Sequence, residues 1–375
     1  MILYDYLVCG AGIAGASIAC ELAAHGRVLV CEQEDHPGYH TTGRSAAMYI
    51  ESYGAAPIRL LTAASRAFFD APPPGFTDHP LLTARGCLTV AGEGQSPSLA
   101  AQAREIEATG TRWREVSAAQ ALAMAPVLRP GAVAAGLFEP DACDIDTASL
   151  HGGYLRLARA RGAEFRNRSR VERLDRAGEV WTARLSGGDV AQARVIVNAA
   201  GAWCDQVAAL AGAAPLGLAP MRRTAVIIDP PAEMAIGAWP SVIDADGAWY
   251  FKPEAGRILV SPCDEIPSEP VDAAPEEIDI ALCIDRLQKA ADIPVTRIVR
   301  AWAGLRTFAP DRVPVIGYDP DLDGFFWCAG QGGYGMQTAP AAAQLAAARA
   351  LRGPTPADIA DRGVIASAYD PGRFS

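Results

Sequence analysis

The N-terminal part of the chain alternates apolar runs with glycine turns. Residues 5–9 and 27–31 have the length and apolar character of buried strands, and residues 16–24 between them have helix-forming composition. Gly10 follows the first run, and Gly26 stops the helix. A strand, a glycine turn, a helix and a second strand within about thirty residues make one βαβ unit. The pattern therefore predicts a parallel α/β sheet.

The later part of the chain predicts a return to this sheet and then a second one. Between residues 171 and 197, strand-like segments separated by glycine turns indicate an antiparallel excursion from the main sheet. Further predicted elements are helices over 99–108, 118–124 and 339–351, and strands over 224–228 and 257–260 with Trp249, Tyr250 and Phe251 between them. This order predicts an α/β domain combined with a second sheet.

Composition narrows the class of protein. A chain of 375 residues that is 50% hydrophobic is long enough for two domains. The net charge of -10 disfavours binding to nucleic acid. The nine cysteines follow no zinc-like spacing, and no apolar run approaches the roughly 20 residues of a membrane-spanning helix. We expect reduced thiols, no metal and a cytoplasmic protein that is either soluble or peripheral to the inner face of the membrane.

The glycine turn has the spacing of a dinucleotide site. In Gly10-x-Gly12-x-x-Gly15, the first glycine permits a tight turn, the second lets a pyrophosphate approach the backbone, and the third lets helix and strand pack closely. Glu32 closes the second predicted strand, where a carboxylate can accept hydrogen bonds from ribose hydroxyls. At this point NAD and FAD both fit the pattern.

Three further segments distinguish the two cofactors. They are HTTGRSAA at 40–47, VIVNAAGAW at 195–203 and GQGGYGMQT at 330–338. With the glycine motif they resemble, in order, the D-amino-acid oxidase superfamily of FAD enzymes, which includes glycine and sarcosine oxidases. The resemblance implies noncovalent FAD, because the covalent members carry a cysteine where this chain has Thr307 and Phe308.

The resemblance also implies a fold and a domain division. The expected fold is α/β, with a Rossmann-type FAD-binding domain of the glutathione-reductase kind and a second α+β substrate domain on a mixed antiparallel sheet. We expect residues 1–78, 141–217 and 301–375 to form the discontinuous FAD-binding domain, and residues 79–140 and 218–300 the substrate-binding domain.

The cofactor residues that the resemblance implies come from the four motif segments and from one strand between them. They are Gly10, Gly12, Ile13, Ala14, Gly15, Glu32, Gln33, Thr41, Thr42, Gly43, Arg44, Ser45, Ala46, Ala47, Val171, Ala200, Gly201, Trp203, Arg306, Gly332, Gly333, Tyr334, Gly335, Met336 and Gln337.

Within the superfamily, the segments PGYHTTGRSAA, LTAASRAFFD, NAAGAWCD, WAGLRTF and QGGYG read most like the bacterial D-arginine dehydrogenase branch. This likeness implies that Arg306 binds a substrate carboxylate together with Tyr250 and Tyr53. A second cation comes from Arg222 or Arg223. Neighbouring strand residues face opposite ways, so one of the two reaches the cavity, and we favour Arg223. The carbonyl of Gly333 is a candidate acceptor for the substrate amine.

The side-chain pocket departs from that branch. Where its members carry a glutamate and a histidine, this chain has Cys87 and Met48, with Ile50 two residues further on. A buried guanidinium without a counter-charge is costly, so arginine should be a poor substrate. We therefore expect a neutral or apolar D-amino acid, although the D configuration rests on the resemblance alone.

The expected reaction is oxidative deamination by hydride transfer from the substrate Cα to the flavin N5, giving an imino acid that hydrolyses. An amine needs no strong base, whereas a 2-hydroxy acid does, and none of the five histidines is placed to serve as one. The alternatives are an oxidoreductase of a 2-hydroxy acid or an N-methyl amino acid, similar to sarcosine and glycine oxidases, and a flavin-binding assembly subunit without turnover. Oxygen, a quinone or a dye remains open as the electron acceptor.

Overall fold

The computed structural model describes residues 2–232 and 234–374. The strands within this part of the chain are β1 Leu3–Cys9, β2 Val28–Cys31, β3 Met48–Tyr49, β4 Leu82–Ala84, β5 Cys87–Ala91, β6 Arg114–Ser117, β7 Ala135–Glu139, β8 Cys143–Ile145, β9 Glu164–Arg166, β10 Val171–Ala177, β11 Val180–Leu185, β12 Val190–Asn198, β13 Ala219–Ile228, β14 Ser241–Asp244, β15 Tyr250–Glu254, β16 Arg257–Ser261, β17 Ile266–Pro267, β18 Arg300–Phe308, β19 Val315–Tyr318 and β20 Phe325–Ala329.

The α-helices of the described residues are α1 Ile13–Leu22, α2 Ala56–Asp70, α3 Ser96–Glu107, α4 Ala118–Met124, α5 Thr147–Ala160, α6 Cys204–Ala211, α7 Glu277–Ala290, α8 Gly335–Ala350 and α9 Ala357–Ala360. Helix α8 starts at Gly335, earlier than the predicted residue 339, because the glycine-rich loop passes directly into the helix.

The first sheet is built on parallel strands. Strand β1 lies between β2 and β12 and is parallel to both, and β20 is parallel to β12. The hairpin β10–β11 adds to β12 in the antiparallel sense, as the sequence predicts for residues 171–197. Helices α1, α5 and α8 contribute buried side chains to the core on one face of this sheet. The carboxyl ends of β1 and β2 therefore meet at the glycine turn.

The second sheet is mixed. Its order is β17-β13-β16-β15-β14-β5-β7-β6, with β18 paired to the other edge of β13. Strand β14 runs parallel to β5, and the remaining pairs are antiparallel. A small third sheet, β3-β8-β4, lies beside it. Strands β13 and β18 pair along nine positions, from Ala219 to Ile227 on β13. This two-stranded ribbon carries the three candidate arginines, Arg222 and Arg223 on β13 and Arg306 on β18.

The predicted fold class, α/β with a second mixed sheet, is confirmed by this architecture. The division of the chain into two domains at the stated boundaries stays a prediction. One strand of the second sheet, Arg300–Phe308, lies at the start of the range assigned to the cofactor domain. None of the described helices is long and apolar enough to cross a membrane.

Candidate active site

Close contacts require glycine at two of the three motif positions, Gly10 and Gly15. Gly10 has φ +98°, and a Cβ there would lie 2.6 Å from the backbone oxygen of Ala199. A Cβ on Gly15 would lie 1.9 Å from the oxygen of Gly10, so the helix can approach the turn only with glycine at this position. Gly12 is the N-cap of α1. The turn thus leaves the helix N-terminus accessible to a phosphate, as the motif predicts.

Glu32 lies where the dinucleotide motif places its acid. It is buried at the end of β2, and its carboxylate accepts from the N–H of Ala11 at 2.8 Å and of Glu34 at 3.0 Å. It lines a cavity of about 160 Å³ together with Gln33, Val171 and Trp203. Glu32 therefore stabilises the glycine turn and also faces the space where an adenosine ribose would bind.

His151 supports the same turn from helix α5. Its Nε2 lies 2.8 Å from the carbonyl oxygen of Ala11, and the ring is buried. Burial lowers the pKa of His151, and the hydrogen bond to the Ala11 carbonyl opposes this effect. The neutral ring therefore acts as a donor to the glycine loop. No local pattern marks this role, because the contact joins residues 140 positions apart.

The segment at 40–47 connects the glycine turn to the second sheet. Thr42 Oγ1 accepts from the N–H of Ile13 at 3.0 Å, and Thr41 Oγ1 donates to the carbonyl of Leu305 at 2.6 Å. Arg44 forms an ion pair with Asp272 and donates to the carbonyl of Ala303 at 3.0 Å. The Arg44 guanidinium thus holds the 40–47 segment against strand β18 of the second sheet and against Asp272.

Arg306 is the central cation of the candidate site. Its Nη1 donates to Tyr53 Oη at 3.2 Å, and among the described residues no carboxylate lies within ion-pair distance of it. Burial acts to lower the pKa of Arg306, but the phenolic oxygens of Tyr53 and Tyr250 raise it above its ordinary value. Burial also raises the pKa of Tyr250 to about 12. The guanidinium is therefore charged, the phenol is neutral, and both are available to an anion.

Gly333 is shaped by the same guanidinium. A Cβ on Gly333 would lie 2.8 Å from Nη1 and 2.9 Å from Cζ of Arg306. Any side chain here would compete with Arg306 for its position. Glycine at residue 333 thus permits a close approach of the backbone to the Arg306 guanidinium.

The strand register separates the two adjacent arginines. Met221 pairs with Arg306 and Arg223 pairs with Gly304, so Arg223 projects from the same face as Arg306 and Arg222 from the other. Arg223 lines the cavity with Arg306, whereas Arg222 binds Asp279 of α7 and Glu276, the N-cap residue of that helix. The preferred arginine of the pair is the one that faces the cavity.

An apolar wall completes the cavity. Met48 and Ile50, with Ile243 of β14, line the end away from the glycine turn in a cavity of about 190 Å³. Cys87 packs behind Ile50 in the same cluster and is buried, so it supports the wall and does not face the cavity. The carboxylate of Glu51 accepts from Tyr49 Oη at 2.7 Å and is not among the residues lining this cavity.

Several residues at the site were not predicted. Gly247 and Cys263 line the substrate end of the cavity, and Cys9 and Cys31 line the adenosine end. Burial raises the pKa of the Cys263 thiol. Cys9 and Cys31 directly precede the motif residues Gly10 and Glu32, whereas Gly247 and Cys263 lie in loops that no motif marks. Tyr334, predicted as a cofactor residue, packs its ring against Tyr53 with ring centroids 5.0 Å apart, and its contact with the cofactor stays a prediction.

The three cavities join into one elongated site that fits FAD. The adenosine cavity and a middle cavity of about 130 Å³ share residues of the glycine turn and of the 40–47 segment. The middle cavity and the substrate cavity share Ser45, Ala46, Arg223, Tyr250, Arg306, Gly333 and Met336. Ten of the 22 residues that line the middle cavity are glycine or alanine, and such small residues allow the close passage of a pyrophosphate.

Comparison with known proteins gives the family. The chain matches the family model described as DAO, FAD dependent oxidoreductase, over residues 5–349. Glycine oxidase from Geobacillus kaustophilus (strain HTA426) is 24% identical over 377 residues, covering 95% of each chain. The crystal structure of glycine oxidase from Geobacillus kaustophilus superposes with a TM-score of 0.83 at 22% identity, covering 100% of this chain and 98% of that chain.

Two further proteins, one matched by sequence and one by structure, are also similar to this chain. 4-methylaminobutanoate oxidase (formaldehyde-forming) from Paenarthrobacter nicotinovorans is 24% identical over 395 residues, covering 98% of this chain and 45% of that protein. The structure of L-alpha-glycerophosphate oxidase from Mycoplasma pneumoniae with FAD bound has a TM-score of 0.84 at 18% identity, covering 94% of this chain and 95% of that chain. Because the family model spans most of the chain, the protein belongs to the DAO family of oxidoreductases and depends on FAD.

Proposed function

We propose that this protein oxidises the C–N bond of an amino acid, with FAD as the hydride acceptor. The observation that carries the proposal is Arg306, a charged guanidinium with no carboxylate partner among the described residues, at the junction of the cofactor and substrate cavities. A bidentate arginine suits a substrate carboxylate. Tyr53 lies beside it and accepts its Nη1 hydrogen bond, and Tyr250, whose pKa burial raises to about 12, is a neutral phenol donor near neutral pH. The anion that completes this set is the substrate.

The absence of a base favours an amine as the reacting group. Among the described residues that line the substrate cavity there is no histidine, aspartate or glutamate. Burial raises the pKa of both Tyr250 and Cys263, so neither is a base near neutral pH. A 2-hydroxy acid would need such a base, whereas an amino group loses its proton to water. The backbone of Gly333 lies close to the Arg306 guanidinium, and its carbonyl is the proposed acceptor for that amine.

The first substrate candidate is glycine or an N-methyl amino acid, the class that the sequence left open as an alternative. The names of two relatives, glycine oxidase and 4-methylaminobutanoate oxidase, support it. These names do not support the narrower likeness to D-arginine dehydrogenase. Because the D configuration was inferred from that likeness, a D-amino acid becomes the second candidate.

The second candidate is a D-amino acid with a neutral or apolar side chain. The apolar wall of Met48, Ile50 and Ile243 favours it, because burying an apolar side chain against this wall contributes favourable binding free energy. No carboxylate lines this cavity among the described residues, so a guanidinium side chain would be buried without a counter-charge. D-arginine should therefore be a poor substrate.

Anaerobic reduction of the bound flavin tests the proposal. The panel contains glycine, sarcosine, the D and L forms of alanine, leucine and arginine, and lactate as the 2-hydroxy acid. We expect glycine or sarcosine to bleach the flavin. If the apolar wall determines which substrate binds, D-leucine should bleach it instead. Arginine and lactate should cause little bleaching. Reoxidation with oxygen, a quinone or a dye then identifies the acceptor. A flavin that no member of the panel reduces would favour a non-catalytic assembly subunit.

A further inference from the structure

The two guanidiniums that face the substrate cavity differ in their partners. Arg306 bonds only to the phenol of Tyr53 among the described residues. Arg223 donates from Nε to the carbonyl oxygen of Asp264 at 2.6 Å and from Nη2 to Glu265 Oε1 at 3.2 Å. The carboxylate of Asp264 also lies within ion-pair distance of Arg223, with Oδ1 4.0 Å from Nε. One cation of the cavity is therefore free for a ligand, and the other is already paired.

Glu265 is shared between Arg223 and a third arginine. Its two carboxylate oxygens accept from Nη2 of Arg312 at 2.9 and 3.0 Å. The Arg312 guanidinium also stacks over the ring of Phe308, 3.8 Å from the ring centroid. Arg312 has φ +63°, a conformation that few non-glycine residues adopt. Glu265 is thus held by contacts on both sides, and its charge lies next to Arg223, which lines the cavity.

The charges of this connected group balance a single substrate carboxylate. The ion-paired set of Arg223 and Arg312 with Asp264 and Glu265 has no net charge, which leaves the positive charge of Arg306, the other arginine of the cavity. One bound carboxylate neutralises it. A second carboxylate would remain without a counter-charge close to Glu265, and an uncompensated charge in a partly buried site is costly.

We propose that Glu265 is a specificity-determining residue that restricts the cavity to monocarboxylate ligands by pairing with Arg223. The inference rests on the proposed function for the site itself, since it assumes that Arg306 receives the carboxylate. It adds that amino acids with a second carboxylate are rejected by charge, independently of their size. Arg312 moderates this effect because it offsets part of the Glu265 charge.

Binding of non-reacting ligands to the FAD-loaded protein tests the charge balance. Butyrate and succinate have the same number of carbons and differ by one carboxylate, and the absorbance change of the flavin reports their dissociation constants. We expect Glu265→Gln to improve succinate binding relative to butyrate by about tenfold, the size of effect that a close charge gives in a partly buried site. Arg312→Gln should shift the same ratio the opposite way.

The chain supplies a matched control on the other face of the same strand. Glu276 pairs with Arg222 as Glu265 pairs with Arg223, but Arg222 points away from the cavity. Glu276→Gln should therefore leave the ratio of the two dissociation constants within about twofold of the unmodified protein. Equal ratios in Glu265→Gln and Glu276→Gln would overturn the proposal, and so would a shift of the same sign in Arg312→Gln.

The two proposals can fail separately. If no amino acid reduces the flavin but the succinate ratio changes as expected, the charge balance stands and the amino-acid oxidation fails. If amino acids reduce the flavin and the ratio does not change, Glu265 has no selective role. Should Glu265→Gln lose its flavin, the Arg312→Gln variant decides, because its expected shift has the opposite sign.

Discussion

Gly333 and Arg306 approach each other so closely that a methyl group on residue 333 would lie 2.8 Å from the guanidinium. Gly333→Ala must therefore displace Arg306 from its bond with Tyr53. We expect carboxylate ligands to bind about tenfold more weakly, the effect of losing about 1.4 kcal/mol from a charge-assisted contact, with FAD still bound. Titration of the flavin absorbance with butyrate measures the loss.

An alanine at an open glycine is the control for this change. A Cβ on Gly131 would meet no other atom of the described residues within 4 Å, so Gly131→Ala should leave butyrate binding unaltered. Unchanged affinity in Gly333→Ala would show that Arg306 does not hold the carboxylate in the position described.

The sequence predicted the cofactor end of the site better than the substrate end. The glycine turn, Glu32 and the 40–47 segment are local patterns, and each lines or supports the elongated cavity where the motifs place them. Arg223 could be preferred to Arg222 only by the alternation of strand residues, and the register with β18 was needed to show which face is which.

Other features could not be predicted because they join distant parts of the chain. His151 reaches Ala11 across 140 positions, and Glu265 meets Arg312 across 47. Cys87 was placed in the pocket by resemblance, but it is buried against Ile50 and is not among the residues that line the cavity. Tertiary packing decides such positions, and no local periodicity records it.

Replacing Arg306 by lysine separates charge from shape. Lysine keeps the positive charge but loses the planar fork that can bind both oxygens of a carboxylate. We expect Arg306→Lys to lower kcat/KM by roughly 30- to 150-fold, corresponding to about 2–3 kcal/mol for one hydrogen bond to a charged group. Steady-state kinetics with the best substrate of the anaerobic panel measures the effect.

Arg222→Lys is the control, since Arg222 lies on the opposite face of the neighbouring strand and binds α7. It should retain most of the activity. If Arg306→Lys were equally active, the carboxylate clamp would have to be another residue.

The link between protein and FAD should be noncovalent. Phe308 follows Thr307 at the position where covalent members of the family carry a cysteine, and Cys328 nearby is buried. Precipitation with trichloroacetic acid should therefore leave the yellow flavin in the supernatant, with the mass of unmodified FAD. Flavin retained in the pellet would identify a covalent bond, and peptide mapping would then examine Cys263, the thiol that lines the substrate cavity.

His151 should make the stability of the protein depend on pH. Its pKa is lowered in the folded state by burial, so the unfolded chain takes up a proton first as the pH falls below the ordinary value of 6.5. The free energy of unfolding should therefore decrease from pH 7 to pH 5. Replacing the ring by glutamine keeps a donor for the Ala11 carbonyl but removes the titration. We expect the Tm of His151→Gln to fall less over this range than the Tm of the unmodified protein, by about 2 °C or more.

His79→Gln is the control, because His79 is exposed. Its Tm should change with pH as that of the unmodified protein does. Parallel curves of Tm against pH for all three proteins would exclude His151 as the source of the pH dependence.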